Sequence, residues 1–217
     1  MPATARLAAS VLIAGCFAAA CGGSSTPSSV PATSSPLPSS SNPAPQPTTS
    51  AVAPQSPVPV ESNPPGDIPD NLAFVTYRNA AGGYRFVHPE GWAQVVQGTS
   101  VRFTDKLNGV AATIVSAKSA PTVASARRYD VPRLRSTVPA FQLRSVSAVT
   151  LPGGQGVLIV FRRNSDPNPV TGRQYRDEVE EFLLWRGGRE IRFDLFGVVG
   201  ADNVDAYRTM SESVRLQ

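Results

Sequence analysis

Four carboxylates stand close together in the C-terminal half of the chain, at Asp177, Glu178, Glu180 and Glu181, and Asp166 precedes them. On a β-strand, Glu178 and Glu180 would share one face about 7 Å apart. Carboxylate pairs at such a distance serve in glycoside hydrolysis or bind cations. The same pattern is also typical of a solvent-facing strand whose acids pair with arginines on neighbouring strands, such as Arg162 or Arg192. We favour this second interpretation.

Few residues of the chain could support other kinds of catalysis. Residues 22–217 contain one histidine, His88, and no cysteine, which excludes zinc sites of cysteine and histidine and thiol nucleophiles from this stretch. His88 precedes Pro89 and alternates with Phe86, which predicts a partly buried structural ring. The motifs GxSxG and SxxK and a Gly-Lys phosphate loop are absent. We expect no catalytic residue, no metal and no cofactor, and therefore a protein that is not an enzyme.

The densest basic patch consists of Arg127, Arg128, Arg133 and Arg135. It is a candidate partner surface for anionic lipid headgroups or wall polymers. The alternative is a solvated helix with local pairs to Asp130. The net charge of +4 and the lack of long basic runs argue against nucleic acid as a partner. The long loop from Asn164 to Gln174 is a further place where a partner could bind.

The N-terminus has the pattern of an export signal. Arg6 precedes 14 apolar or small residues, Leu7 to Ala20, which are too few to span a bilayer. Cys21 follows this run directly and resembles the lipobox cysteine of bacterial lipoproteins, which is acylated and becomes the first mature residue. Cys16 is the alternative acylation site. We expect residues 1–20 to be a lipoprotein signal peptide and the protein to be lipid-anchored at the extracytoplasmic face of the cell membrane.

Composition divides the remainder of the chain. Residues 22–66 hold 12 prolines and 16 serines or threonines, with Glu61 as the one charged side chain. This predicts a disordered Pro/Ser/Thr-rich stalk over residues 21–66. Residues 67–217 carry 19 of the 20 basic and 15 of the 16 acidic residues and should form one globular domain.

The elements of this domain follow from its periodicity. Alternating apolar and polar residues predict strands, and Gly-rich turns at 82–83, 108–109, 153–156 and 187–188 predict antiparallel hairpins. The apolar run at 156–161 predicts a central strand covered on both faces. Two helices should cover the sheet: a broken one over 122–138, with Asp130 as an N-cap before Pro132, and one over 202–210, capped by Asp202. The expected fold is α+β, an α-β-α sandwich with a mostly antiparallel sheet.

The run Tyr84-Arg85-Phe86-Val87-His88-Pro89-Glu90-Gly91-Trp92 resembles the opening hairpin of PsbP-like proteins, and a strand Val101-Arg102-Phe103-Thr104-Asp105 follows it. The C-terminal hairpin, helix and Ser-rich tail are also similar, so the likeness covers residues 72–216. With its lipobox and stalk, the whole chain is similar to actinobacterial envelope lipoproteins of the LpqN type. The resemblance implies a fold used for binding or assembly, and no ion-site residue of the family can be matched here.

These observations predict a membrane-anchored extracytoplasmic lipoprotein that acts as a non-catalytic binding or assembly module in the cell envelope. Its expected partners are the membrane, through N-terminal acyl chains, and an envelope protein or lipid. The alternatives are a carrier of an apolar ligand and a carboxylate-dependent hydrolase of an envelope glycan.

Overall fold

The computed structural model describes residues 54–217. The predicted signal peptide, Cys16, Cys21 and most of the predicted stalk lie outside these residues. The strands are β1 (Phe74–Asn79), β2 (Tyr84–Pro89), β3 (Ala93–Gln97), β4 (Ser100–Asp105), β5 (Asn108–Ser116), β6 (Gln142–Leu151), β7 (Gly154–Asn164), β8 (Arg176–Arg186), β9 (Arg189–Val198) and β10 (Arg215–Leu216). The helices are α1 (Val123–Ser125), a π-helical turn (Ala126–Asp130), α2 (Val131–Thr137) and α3 (Val204–Ser213).

Seven strands form the main sheet, in the order β3-β4-β5-β9-β8-β7-β6, and every neighbouring pair is antiparallel. The predicted hairpins are confirmed, because each short glycine-containing turn joins two strands that pair directly. The apolar run at 156–161 belongs to β7, which is covered on both faces as expected. It pairs with a strand on each side, as expected of a central strand, although β9 is the middle strand of the seven.

A second sheet of three strands, in the order β1-β2-β10, packs with α3 on one face of the main sheet. Alternation on β2 turns Tyr84 and Phe86 inward, where both are almost completely buried. The ring centroids of Phe86 and Phe193, on the main sheet, are 5.0 Å apart. Met210 of α3 is buried in the same core. The opposite face of the main sheet is covered by the helical segment (residues 123–137), so the predicted α+β sandwich is confirmed.

The helical segment differs in detail from the expected broken helix. It begins at a capping box, in which Thr122 Oγ1 accepts a hydrogen bond from the Ser125 backbone N–H. Asp130 occupies the predicted N-cap position of α2, but its side chain makes no capping hydrogen bond, because its backbone is helical and its carboxylate accepts from Arg192 instead. The interruption is a π-helical turn. The Val131 backbone N–H donates to the Ala126 carbonyl oxygen across this turn. Pro132, which cannot donate a backbone hydrogen bond, follows in the first turn of α2.

Helix α3 begins two residues later than predicted, at Val204, so Asp202 is not its N-cap. The N-cap position is occupied by Asn203, whose side chain makes tertiary contacts instead of capping the helix. It accepts a hydrogen bond from the Ile68 backbone N–H at 2.8 Å and donates one to Asn108 Oδ1 at 2.9 Å. Contacts distant in sequence therefore set where this helix starts.

Residues 54–66, which the composition assigns to the stalk, contain no helix or strand, yet several of them contact the domain. The Val58 backbone N–H donates to Asn164 Oδ1 at 3.0 Å, and Asn164 Nδ2 donates to the Ser56 carbonyl at 2.8 Å. Arg173 pairs with Glu61 at 2.7 Å. The segment that contacts the domain therefore begins upstream of residue 67.

Candidate functional site

A cleft of about 340 Å³ lies between α3 and the main sheet, on the face that α3 covers. Its floor is formed by β8 and β9, and its rim by α3 and the loop that precedes it. The lining includes Glu178, Glu180, Gly197, Asn203, Tyr207 and Arg208. This volume falls at the small end of the range found for ligand pockets.

The predicted shared face of Glu178 and Glu180 is confirmed, because both side chains line this cleft. Glu178 is bound by Arg162 of the neighbouring strand, with 2.9 Å between Nε and Oε2. This is the cross-strand pairing that the sequence analysis favoured. Glu180 has no arginine or lysine within 4.0 Å among the described residues. Burial raises the pKa of its carboxyl, and the negative charge of Glu178 raises it further.

Gly197 allows α3 to approach the floor of the cleft. A Cβ atom at this position would lie 2.9 Å from both Asn203 Nδ2 and the Tyr207 hydroxyl, which is closer than real side chains allow. Burial raises the pKa of the Tyr207 hydroxyl, and the nearby carboxylate of Glu180 raises it further. Tyr207 therefore remains a neutral hydroxyl that can donate or accept a hydrogen bond.

The cleft is acidic overall. Arg208 lines it but pairs with Asp205 at 3.1 Å, while Glu178 is neutralised by Arg162. Glu180 and Glu212 supply the remaining charge. Together with Tyr207, these groups suit a partner that presents hydrogen-bond donors or a positive charge.

The other two carboxylates of the cluster point to the opposite face, because side chains alternate along β8. Glu181 is 4% exposed and lies 2.8 Å from Arg133 of the helical segment. Asp177 is similarly buried and lies 3.5 Å from Arg163. Asp166, in the preceding loop, lies 3.4 Å from Arg102. The cluster that is continuous in sequence is therefore divided between the two faces of the sheet.

The structure also divides the predicted basic patch. Arg133 points inward to Glu181 and Asp130. Arg127, Arg128 and Arg135 are exposed. Whether this surface binds a partner stays a prediction.

The loop from Asn164 to Gln174 borders a second cleft, of about 220 Å³. The guanidinium groups of Arg102 and Arg163 lie 4.7 and 4.8 Å from the ring centroid of Phe196 in its wall. Both arginines pair with aspartates, so little charge remains for a ligand. Asn168 stabilises the loop by accepting hydrogen bonds from the next backbone N–H groups.

His88 is the structural ring that the sequence predicted. It is buried and stacks on Phe103, with 3.7 Å between the ring centroids, and its Nδ1 lies 2.8 Å from the Pro89 carbonyl oxygen. Burial lowers its pKa. Within residues 54–217, no three histidine, cysteine or acidic side chains are grouped so as to hold a metal ion.

Asn203 and Tyr207 were not predicted to belong to the cleft. In the sequence, Tyr207 stands out only because it falls on the apolar side of the helix predicted over 202–210. Asn203 stands out only as a residue near the start of that helix. Their contact with β9 depends on Gly197, whose place opposite α3 is visible only once the strand order is known.

Comparison of the sequence with known protein families and with curated proteins gives no match. Among solved structures, the chain is similar to cyanobacterial PsbP from Synechocystis sp. PCC 6803, at 19% identity and a TM-score of 0.47, covering 70% of this chain and 98% of that one. LpqN of Mycobacterium tuberculosis, described as involved in cell envelope biogenesis, matches at 12% identity and a TM-score of 0.43, with 68% and 92% covered. The yeast Ran-binding protein Mog1p matches at 9% and 0.44, with 67% and 96% covered.

None of the three TM-scores reaches 0.5. The likenesses identify no family and transfer no function to this chain. Among the described residues, no helix has both the length and the apolar character needed to cross a membrane.

Proposed function

We propose that this chain is a membrane-anchored, extracytoplasmic lipoprotein that acts as a non-catalytic binding module of the cell envelope. The anchor is the acylated Cys21 that follows the apolar run, and the partner occupies the cleft between α3 and the main sheet. A partner with amide, hydroxyl or ammonium groups fits the acidic lining best.

One observation carries the binding role: the cleft contains a carboxylate, Glu180, that has no ionic partner among the described residues. The Tyr207 hydroxyl, which interacts with Asn203, lies nearby. Glu180 is half-buried, so a ligand that pairs with its carboxylate would offset part of the cost of its desolvation.

The two alternatives have less support. A carrier of an apolar ligand needs an apolar cavity, whereas Glu178, Glu180 and Glu212 line this cleft. A hydrolase of the predicted type needs both Glu178 and Glu180 available for proton transfer or attack. Glu178 is already bound by Arg162 at 2.9 Å.

The test exploits the absence of cysteine from residues 22–217. A single cysteine introduced at Val204, which lines the cleft and is 65% exposed, provides a unique site for a thiol-directed photocrosslinker. The matched control is Val95→Cys on the edge strand β3, where the valine is 59% exposed. Crosslinking in the native envelope, read by mass spectrometry, should give one discrete adduct for Val204→Cys and none for Val95→Cys.

The same adducts from both positions would show nonspecific capture. No adduct from Val204→Cys would remove the cleft as the binding site.

A further inference from the structure

We propose that the arginine face, formed by Arg127, Arg128, Tyr129 and Arg135 on the outer side of the helical segment, lies against the anionic lipid headgroups of the membrane that anchors the chain. This inference deepens the proposed function and rests on its lipid anchor. The ligand class is the anionic phospholipid bilayer surface.

Positive and negative charges are segregated between the two sides of the helical segment. Asp130 is the one acidic residue in the helical segment, and it is buried and bound by Arg192 at 2.8 Å. Arg133 also points inward, to Glu181. The outer side thus carries three exposed arginines and no acidic residue of the segment.

Among the described residues, some arginines of the domain are neutralised by a neighbouring carboxylate, and the arginine face is distinguished by having three without such a partner on one short segment. Arg102, Arg162, Arg163, Arg173, Arg192 and Arg208 each have a carboxylate within 4.0 Å. Among residues 54–217, Arg127, Arg128 and Arg135 have none. Their charge is therefore available to an external anion.

Tyr129 adds an amphipathic group to the same face. Its side chain is 62% exposed, and the Arg128 guanidinium carbon lies 5.3 Å from its ring centroid. Tyrosine is enriched at membrane–water interfaces because its ring is apolar and its hydroxyl can remain hydrated. An arginine beside such a ring can bind a lipid phosphate while the ring contacts the boundary between the headgroups and the acyl chains.

The path of the chain near Pro54 independently favours the same orientation. Pro54 and Gln55 line the same depression as Arg135 and Ser136, at the end of α2. Asn164 fixes this path through its hydrogen bond to Ser56. The first described residue, Pro54, therefore lies beside the arginine face, and the connection to Cys21 starts from this point.

The connection is also long enough to let this face reach the bilayer. The stretch from Cys21 to Pro54 covers at most about 110 to 120 Å when fully extended. A domain held within that distance of a membrane has a high effective concentration at its surface, which adds to the intrinsic affinity of the arginine face. Each basic residue near an anionic leaflet strengthens binding about fivefold, so three together should give about 100-fold, decreasing with salt.

The experiment uses the mature chain, residues 21–217, with Cys21→Ser so that no acyl chain contributes. It is sedimented with vesicles of phosphatidylcholine alone or mixed with phosphatidylglycerol, at low and high salt. We expect binding to the anionic vesicles only, weakened by salt. Arg127→Gln, Arg128→Gln and Arg135→Gln together should reduce the affinity about 100-fold.

The control variant removes the same charge from elsewhere on the molecule. Arg78→Gln, Arg85→Gln and Lys106→Gln together change exposed residues of the small sheet and of the turn between β4 and β5, and should leave most of the affinity intact. Both triple variants change exposed side chains, so unchanged thermal unfolding is expected and should be verified.

Three outcomes would overturn the proposal. These are equal loss of binding in both triple variants, equal binding to neutral vesicles, and no vesicle binding by a folded chain. Binding to a soluble anionic polysaccharide but not to vesicles would assign the face to a wall polymer and would also contradict it. The vesicle assay does not test the lipid anchor, because the Cys21→Ser chain carries no acyl group. The anchor is tested separately, by the intact mass of the native protein.

Discussion

Arg133 and Arg135 are two residues apart on α2, but their environments differ. Arg133 is 39% exposed and reaches the buried carboxylate of Glu181, whereas Arg135 is exposed. Without Arg133, Glu181 would keep only Arg192, at 3.8 Å, and the loss of the nearest partner of a buried carboxylate costs more than the loss of a surface contact.

We therefore expect Arg133→Ala to lower the free energy of unfolding by about 1–3 kcal/mol, since the pair is only partly buried. Arg135→Ala should change it by less than about 0.5 kcal/mol. Urea denaturation of the two variants measures both values, with an unchanged denaturant slope as the check on comparable unfolding. Equal effects would contradict the assigned inward direction of Arg133.

The carboxylate cluster illustrates what could be predicted for single residues. The period of two placed Glu178 and Glu180 on one face, and the pairing of Glu178 with Arg162 was foreseen. The burial of Asp177 and Glu181 was not, because charged residues in a strand pattern normally indicate solvent. Their partners, Arg163 and Arg133, come from different elements, so the pairing depends on topology.

At the scale of elements, a layer of charged side chains lies between the helical segment and the main sheet. Its carboxylates outnumber its guanidinium groups: it contains Asp130, Glu181, Glu190 and Asp194, with Arg133 and Arg192 between them and Arg163 close by. Asp194 lies directly opposite Glu181 in the pairing of β8 and β9. Like charges at such positions destabilise each other when both are ionised.

This layer predicts a pH dependence of stability. Burial raises the pKa of Asp194 from 3.8 to about 7, and the charge of Glu181 contributes in the same direction. The folded chain then keeps a proton that the unfolded chain releases above about pH 4. Because the unfolded state binds fewer protons, the free energy of unfolding should fall as the pH rises from about 4 to about 7 and then level off.

The asparagine introduced by the Asp194→Asn substitution cannot ionise. This variant should therefore reduce the slope of the free energy of unfolding against pH and raise the melting temperature at pH 8. Asp205→Asn, on the exposed side of α3, is the matched control and should leave the slope unchanged. Thermal unfolding across this pH range measures both. Stability that increases with pH, or a slope unaffected by Asp194→Asn, would contradict the buried layer.

The elements themselves were largely predictable, and their boundaries were not. Gly-Gly and Asn-Gly turns between alternating strands specify hairpins locally, so four of the eight antiparallel pairings followed from the sequence. The π-helical turn could not be foreseen, because the inward contact of Asp130 with Arg192 is tertiary. The small sheet also escaped prediction, since β10 pairs with β2 across 130 residues of sequence.

For the molecule as a whole, the two proposed surfaces lie on opposite faces of the main sheet. The helical segment with its arginine face covers one face, and α3 with the acidic cleft covers the other. If the arginine face rests on the bilayer, the cleft opens away from it. One arrangement then explains both how the domain is held and how a partner reaches it.

The anchor is the feature on which this whole arrangement depends. The intact mass of the protein purified from its own envelope tests it most directly. We predict the mass of a chain that begins at Cys21 and carries covalently attached acyl groups. An unmodified chain that still begins at Met1, or a processed chain without acyl mass, would contradict the account.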